Sequence, residues 1–115
     1  MCGVTGLFGP IKNYSLKDVA ELMTDSLVHR GPDDDGVWLD ADSRIALGHR
    51  RLAILDLSSQ GHQPMLSSNG RYVMVFNGEI YNHLELRNDL EKESVNSAPQ
   101  SWRGHSDTET LLACI

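Results

Sequence analysis

The 115 residues read as an α+β domain, and three observations carry that reading. Short aliphatic and β-branched runs recur at strand length, among them GVTGLF, VWL, IALGH and YVMVF, each bounded by Gly, Asn, Asp or Pro. Three segments carry helix-capping pairs, with Ser15, Asn82 and Ser106 each followed three residues later by Asp18, Glu85 and Glu109. No run is long and apolar enough to span a membrane.

Composition narrows the function classes. An apolar fraction of 40% with 23% charged residues is ordinary for a globular domain, and this length allows one domain with a modest core. The net charge of −6 argues against a nucleic-acid surface, which needs a basic patch. Cys2 and Cys114 stand far apart and share no ligand spacing with any of the five His, so no metal site is expected and no disulfide is suggested. The first residues match neither a signal peptide nor a myristoylation pattern. The expectation is a cytoplasmic protein with no membrane or nucleic-acid partner.

In chain order, residues 2–8 read as a buried strand in which Gly3 and Gly6 leave room for close approach to the backbone. Leu16, Val19, Leu22, Met23 and Leu27 then follow the Ser15 cap at helical spacing, and Gly31 ends the helix. HRGPDDDG (29–36) reads as a solvated turn, because three adjacent carboxylates do not converge on one cation. A hairpin follows: VWL, a DADS turn, then IALGH and RLAIL. Residues 58–64 are a loop, Asn69-Gly70 a turn and Tyr72–Phe76 a strand. The Asn82 cap starts a helix that buries Leu84 and Leu90, residues 94–104 form a surface loop, and the Ser106 cap starts a last helix at the chain's end. That helix has too few residues, so a fragment of a longer protein is expected.

The chemistry starts at the N-terminus. With Met1 removed, Cys2 carries a thiol and a free α-amine on one skeleton. The amine titrates at about 7.7–8.0 and the thiol near 8.5, so the nucleophile brings its own base. Asn77-Gly78 has two readings: the commonest hairpin turn, or an Asn amide and a Gly N–H donating to one oxyanion. His29, His49, His62, His83 and His105 invite a Cys–His dyad, which an α-amine base makes unnecessary. His49 and Arg30 are assigned structural roles.

Six ordered blocks, MCG, HRGPDDDG, GHRRLAILDLS, GHQPM, FNGEIYNH and SDTE, resemble the glutaminase domain of asparagine synthetases that use glutamine. These are class II glutamine amidotransferases with the N-terminal nucleophile hydrolase fold, and the likeness runs over essentially the whole chain. The resemblance implies an αββα sandwich, of which residues 1–115 are the N-terminal part. It implies hydrolysis of glutamine to glutamate and ammonia through a thioester on Cys2, and it turns the balance at Asn77 and Gly78 toward oxyanion donors. It places Arg51 on the substrate α-carboxylate, Glu79 and Asp107 around the α-ammonium, and the backbone of Leu52 and Ile54 along the pocket. Strand alternation puts Arg50 on the opposite face from Arg51.

By the same resemblance, the ammonia feeds a synthetase domain absent from this chain, which uses ATP and Mg²⁺ to convert aspartate to asparagine. No cofactor is expected in the chain itself. The implied partners are glutamine, that synthetase domain and a second copy in a homodimer. Two alternatives stand beside this reading. One is the same glutaminase chemistry feeding a different amide-forming synthetase, for a sugar or a specialised metabolite. The other is an inactive scaffold fragment, against which the retention of Cys2, Arg51, Asn77, Gly78 and Asp107 argues. The 115 residues alone are expected to show low activity.

Overall fold

A computed structural model describes residues 1–54, 58–94 and 101–115. Its strands are β1 (Gly3–Phe8), β2 (Asp34–Asp40), β3 (Ile45–Arg51), β4 (Met65–Leu66) and β5 (Val73–Met74). Its helices are α1 (Leu16–Asp25), α2 (His83–Glu93) and α3 (Asp107–Ala113). The class is α+β: an antiparallel sheet of order β1-β3-β2 carries α1, and β4 pairs with β5 in a separate two-stranded ladder. Among the described residues α1 packs on the three-stranded sheet, and α2 packs against α3.

Small residues bring α1 down on the sheet. Ala20 and Thr24 of α1 and Ala46 of β3 are each 2% exposed or less. The Thr5 and Thr24 hydroxyls meet at 3.2 Å, and Thr24 also donates to the Ala20 carbonyl at 2.7 Å. The Ser15 hydroxyl caps α1 by accepting from the Asp18 N–H, as its sequence spacing predicts. The helix ends at Asp25, earlier than Gly31, and Leu22 points outward at 70% exposure. β1 is not a buried strand either. Gly3, Thr5 and Leu7 share the α1 side, whereas Val4 and Phe8 on the other face are exposed.

Asp33 and Asp35 are exposed, as expected of a solvated segment, but the three aspartates are not a free turn: β2 begins at Asp34 and each carboxylate has a partner. Asp33 accepts from the Ala53 N–H at 2.8 Å, Asp34 bonds the His62 ring at 2.8 Å, and Asp35 pairs with Arg50 at 3.3 Å. Each carboxylate ties β2 or its approach to a different segment. The strand predicted to continue through RLAIL stops at Arg51, where the next two backbone donors go to side chains: the Leu52 N–H to Cys2 and the Ala53 N–H to Asp33. Leu55 of that expected strand, and residues 95–100 of the expected surface loop, lie outside the described residues.

The β4–β5 turn follows the Asn69-Gly70 expectation, with Gly70 at φ +69° and its N–H on the Ser67 carbonyl at 2.9 Å. The strand predicted over Tyr72–Phe76 shortens to two residues. Both backbone groups of Phe76 bond to side chains, its N–H to Gln63 and its carbonyl to His49.

In α2 the expected Asn82 side-chain cap is not made, and Leu84 is 64% exposed. The buried residue is Arg87. Its guanidinium donates to Thr110 Oγ1 (2.8 Å), the Gly104 carbonyl (2.9 Å) and the Ser106 carbonyl (3.1 Å), pairs with Glu109 (3.3 Å), and lies 4.1 Å over the Trp102 ring. Five donors in a fixed fork let one side chain satisfy several carbonyls that would otherwise be stranded. Half of the third capping box forms, since Ser106 Oγ accepts from the Glu109 N–H at 3.2 Å. Glu109 itself turns to the N–H groups of Arg103 (2.7 Å) and Gly104 (3.0 Å).

At Gly48 an added Cβ would overlap the hydroxyls of Thr24 and Thr5. Gly48→Ala is therefore expected to push α1 off the sheet and cost about 1–3 kcal/mol, read as a lower urea midpoint.

Candidate active site

The β1–β3 register pairs Gly3 with Arg50, so Cys2, one residue earlier, is set opposite Arg51 at the end of the sheet. Here β3 has just ended. The Leu52 N–H donates to Cys2 Sγ at 3.3 Å, and the thiol can return its proton to the Leu52 carbonyl at 3.7 Å.

Arg51 is buried to 8% exposure and donates to the Ser58 carbonyl at 2.8 Å. Gly61 sits flat against its guanidinium, and a Cβ there would strike Nη2. Arg50, on the other face, pairs with Asp25 and Asp35 as strand alternation predicts.

The third wall is the segment 76–80. Gln63 accepts the Phe76 N–H at 2.7 Å and donates to Thr108 Oγ1 at 3.2 Å, while His49 Nε2 meets the Phe76 carbonyl at 3.2 Å. At the far end Asp107 accepts the Ile80 N–H through Oδ2, and the Thr108 N–H through Oδ1, each at 2.8 Å. Asn77, Gly78 and Glu79 hang between these two anchors. Asn77-Gly78 is therefore not a hairpin turn. At Gly78 an added Cβ would lie 2.6 Å from Phe76 Cζ, so the ring would have to give way.

These three walls enclose a cavity of about 190 Å³. Cys2, Arg51, Leu52, Ile54, Asn77, Gly78, Glu79 and Asp107, the eight residues singled out in the sequence, all line it. Gln63, Gly61 and Thr108 line it too, and the sequence reading did not select them. Gln63 falls inside the quoted GHQPM block, but a lone Gln carries no chemical signal of its own. A guanidinium on one wall and two carboxylates on another suit a small dipolar ligand better than a simple anion or cation. Among the described residues, no cluster of three or more His, Cys, Asp or Glu could hold a metal ion. Nor is any helix there long and apolar enough to cross a membrane.

His49 does not line the cavity, but it supports one wall. It is 1% exposed, and burial holds its pKa below the ordinary value of 6.5; the neighbouring Arg51 charge and His62 act in the same direction, against the Phe76 bond and Asp34. The neutral ring donates from Nε2 to the Phe76 carbonyl, which leaves Nδ1 bare and buried without a partner. In the unfolded chain the ring takes a proton near pH 6.5, whereas in the fold it resists until a lower pH. Its contribution to stability is thus complete above pH 6.5 and declines as pH falls from there through the lowered value. Urea midpoints taken from pH 7.5 down to 5 are expected to fall more steeply for the wild type than for His49→Gln, which does not titrate.

The family description "glutamine amidotransferase domain" matches residues 1–115. Asparagine synthetase [glutamine-hydrolyzing] 1 of Bacillus subtilis (strain 168) is 40% identical over 116 residues, covering 98% of this chain and 17% of that protein. Asparagine synthetase [glutamine-hydrolyzing] 1 of Arabidopsis thaliana is 40% identical over 112 residues, covering 96% and 18%. Amidase chry2 of Gibberella zeae is 34% identical over 123 residues, covering 98% and 17%. The chain thus spans under a fifth of the length of these three relatives. A cavity holding a half-buried thiol, a buried guanidinium and an Asn-Gly pair, together with a family match from the first residue to the last, leads to one conclusion: the chain belongs to the glutamine amidotransferase domain family.

Proposed function

We propose that this domain hydrolyses the side-chain amide of glutamine, and that the intact protein uses the ammonia to make asparagine from aspartate with ATP and Mg²⁺ in a separate synthetase domain. The carrying observation is the convergence of Cys2, Arg51, Asn77, Gly78, Glu79 and Asp107 on one cavity. Removal of Met1, which also lines that cavity, frees the Cys2 α-amine to act as base. The thiol transfers its proton to the amine as sulfur bonds to the amide carbon. The carbonyl oxygen takes up the negative charge and accepts from Asn77 Nδ2 and the Gly78 N–H. The C–N bond then breaks, ammonia leaves with the proton held by the amine, and water cleaves the thioester to glutamate and free thiol. Arg51 takes the α-carboxylate, and Glu79 and Asp107 take the α-ammonium. The αββα sandwich, a homodimeric assembly and a cytoplasmic location complete this reading.

A second reading has one observation of its own. A relative named an amidase, not an asparagine synthetase, matches this domain almost as well as the synthetases do. The same glutaminase chemistry then serves a different ammonia acceptor, and the two readings differ outside the residues described here.

Mass spectrometry of the intact protein with an electrophilic glutamine analogue tests the glutaminase step. The expected result is loss of Met1 and one adduct on Cys2, abolished in Cys2→Ala. Retained Met1 without an adduct overturns the proposal.

Steady-state kinetics divide the roles further. Asn77→Ala should lower kcat by roughly 10²–10³-fold with little change in KM. Gly61→Ala, which displaces the Arg51 guanidinium, should raise KM with a smaller effect on kcat. The opposite split would reverse the assignments.

A further inference from the structure

Phe76 is unusual among the described residues of the site in that side chains from two other segments hold both of its backbone polar groups. Its N–H lies 2.7 Å from Gln63 Oε1, and its carbonyl lies 3.2 Å from His49 Nε2. Those side chains are themselves fixed. His49 belongs to β3 and is 1% exposed; Gln63 is 6% exposed and bonds onward to Thr108 of α3. The carbonyl that His49 holds belongs to the peptide unit joining Phe76 to Asn77. Its orientation sets where the Asn77 backbone starts and, one residue on, where the Gly78 N–H points.

We infer that His49 and Gln63 act together as a clamp on the Phe76 peptide, positioning Asn77 and Gly78 as oxyanion donors; the inference rests on the glutaminase reading. His49 is a positioning residue here. It lies outside the cavity lining and acts through the backbone it holds. Three features support the assignment. The Phe76 bonds replace strand pairing, so without them this stretch would lose its fixed position. The bare Nδ1 is a cost the fold tolerates at a fully buried ring, which a purely apolar side chain would avoid. The clamp also acts at one end of the segment only, while Asp107 anchors the other at Ile80, so Asn77, Gly78 and Glu79 are held as a span. Donor placement matters most when charge develops on the substrate oxygen, and a shift of about 1 Å can cost on the order of 10²-fold in rate. The clamp should therefore govern turnover more than ground-state binding.

Glutamine hydrolysis by the intact protein tests this with His49→Leu, His49→Gln and Gln63→Leu. The expected result for His49→Leu is a fall in kcat of roughly 10–10²-fold with KM nearly unchanged. His49→Gln, which can again offer an N–H at the same reach, should recover most of that turnover. Gln63→Leu should repeat the loss. Amide hydrogen exchange supplies a readout that does not depend on activity: exchange over residues 76–80 should quicken in His49→Leu while β1 and β3 stay protected.

Unchanged kcat in His49→Leu overturns the clamp, as does a loss that His49→Gln fails to restore or a loss that falls on KM. Exchange that quickens across the whole sheet also overturns it, because that marks general destabilisation. The wild type separates the two proposals. If it neither hydrolyses glutamine nor forms the Cys2 adduct, the glutaminase reading fails and the clamp's catalytic role fails with it. If the wild type is active and the variants match it, the clamp alone fails.

Discussion

The antiparallel pairing of β1 with β3 sets the spacing between the cavity's thiol and its guanidinium. Gly3 opposite Arg50 forces Cys2 opposite Arg51, and side-chain alternation sends Arg51 to the cavity while Arg50 joins Asp25 and Asp35 on the far face. A slip of one residue would exchange the two arginines and leave the thiol beside an ion-paired side chain. The pairing is protected by the close approach of α1. Gly48 and Gly3 leave no room for a side chain where the helix and the turn after it cross, so only one register lets α1 seat.

Polar side chains hold the remaining walls in place. The fully buried apolar residues among those described are few, Ala20, Ala46, Met65 and Leu112, whereas His49, Arg51, Gln63, Arg87, Asp107 and Glu109 are all buried. Buried polar groups specify geometry because leaving any one unpaired is costly, of order 1–3 kcal/mol. Arg87 and Glu109 show how this works at a distance from the cavity. Together they fasten α2 and the residues around Gly104 to the start of α3, and α3 then presents Asp107 to the Ile80 N–H. A pair this enclosed adds little net stability, but breaking it leaves a stranded charge, so it acts as a lock on position.

The regular elements were legible because their signals are local. The Ser15 cap, the hairpin across the DADS turn and the Asn69-Gly70 turn each depend on a few neighbouring residues, and each formed. Three of the misreadings share one cause, competition from distant side chains. Cys2 and Asp33 take the donors that would have extended β3, and His49 with Gln63 take both groups that would have extended β5. Leu84 was expected inside as an apolar residue of the capped helix, yet Arg87 is the buried residue there because carbonyls of the 104–106 segment need donors. Of the cavity residues, Cys2 declared its chemistry by its place behind Met1, whereas Arg51, Glu79 and Asp107 could be picked out by the resemblance of the blocks that carry them. Gln63 could not, since its part depends on two partners far along the chain.

That contrast bears on how such a site works. Most of the groups proposed to touch glutamine sit on segments with no regular structure: Cys2 before β1, Leu52 and Ile54 after β3, and Asn77 to Glu79 between β5 and α2, while Arg51 ends β3 and Asp107 opens α3. Irregular backbone frees N–H groups that a strand would consume, which is what an oxyanion site needs. It also removes the ladder that would have kept those groups still. Leu52 on Cys2, Ser58 on Arg51, and His49, Gln63 and Asp107 on the 76–80 span restore that rigidity bond by bond. The same exchange explains why the strands beside the cavity are cut short: each residue withdrawn from a ladder becomes available either to meet a ligand or to hold the residue that does.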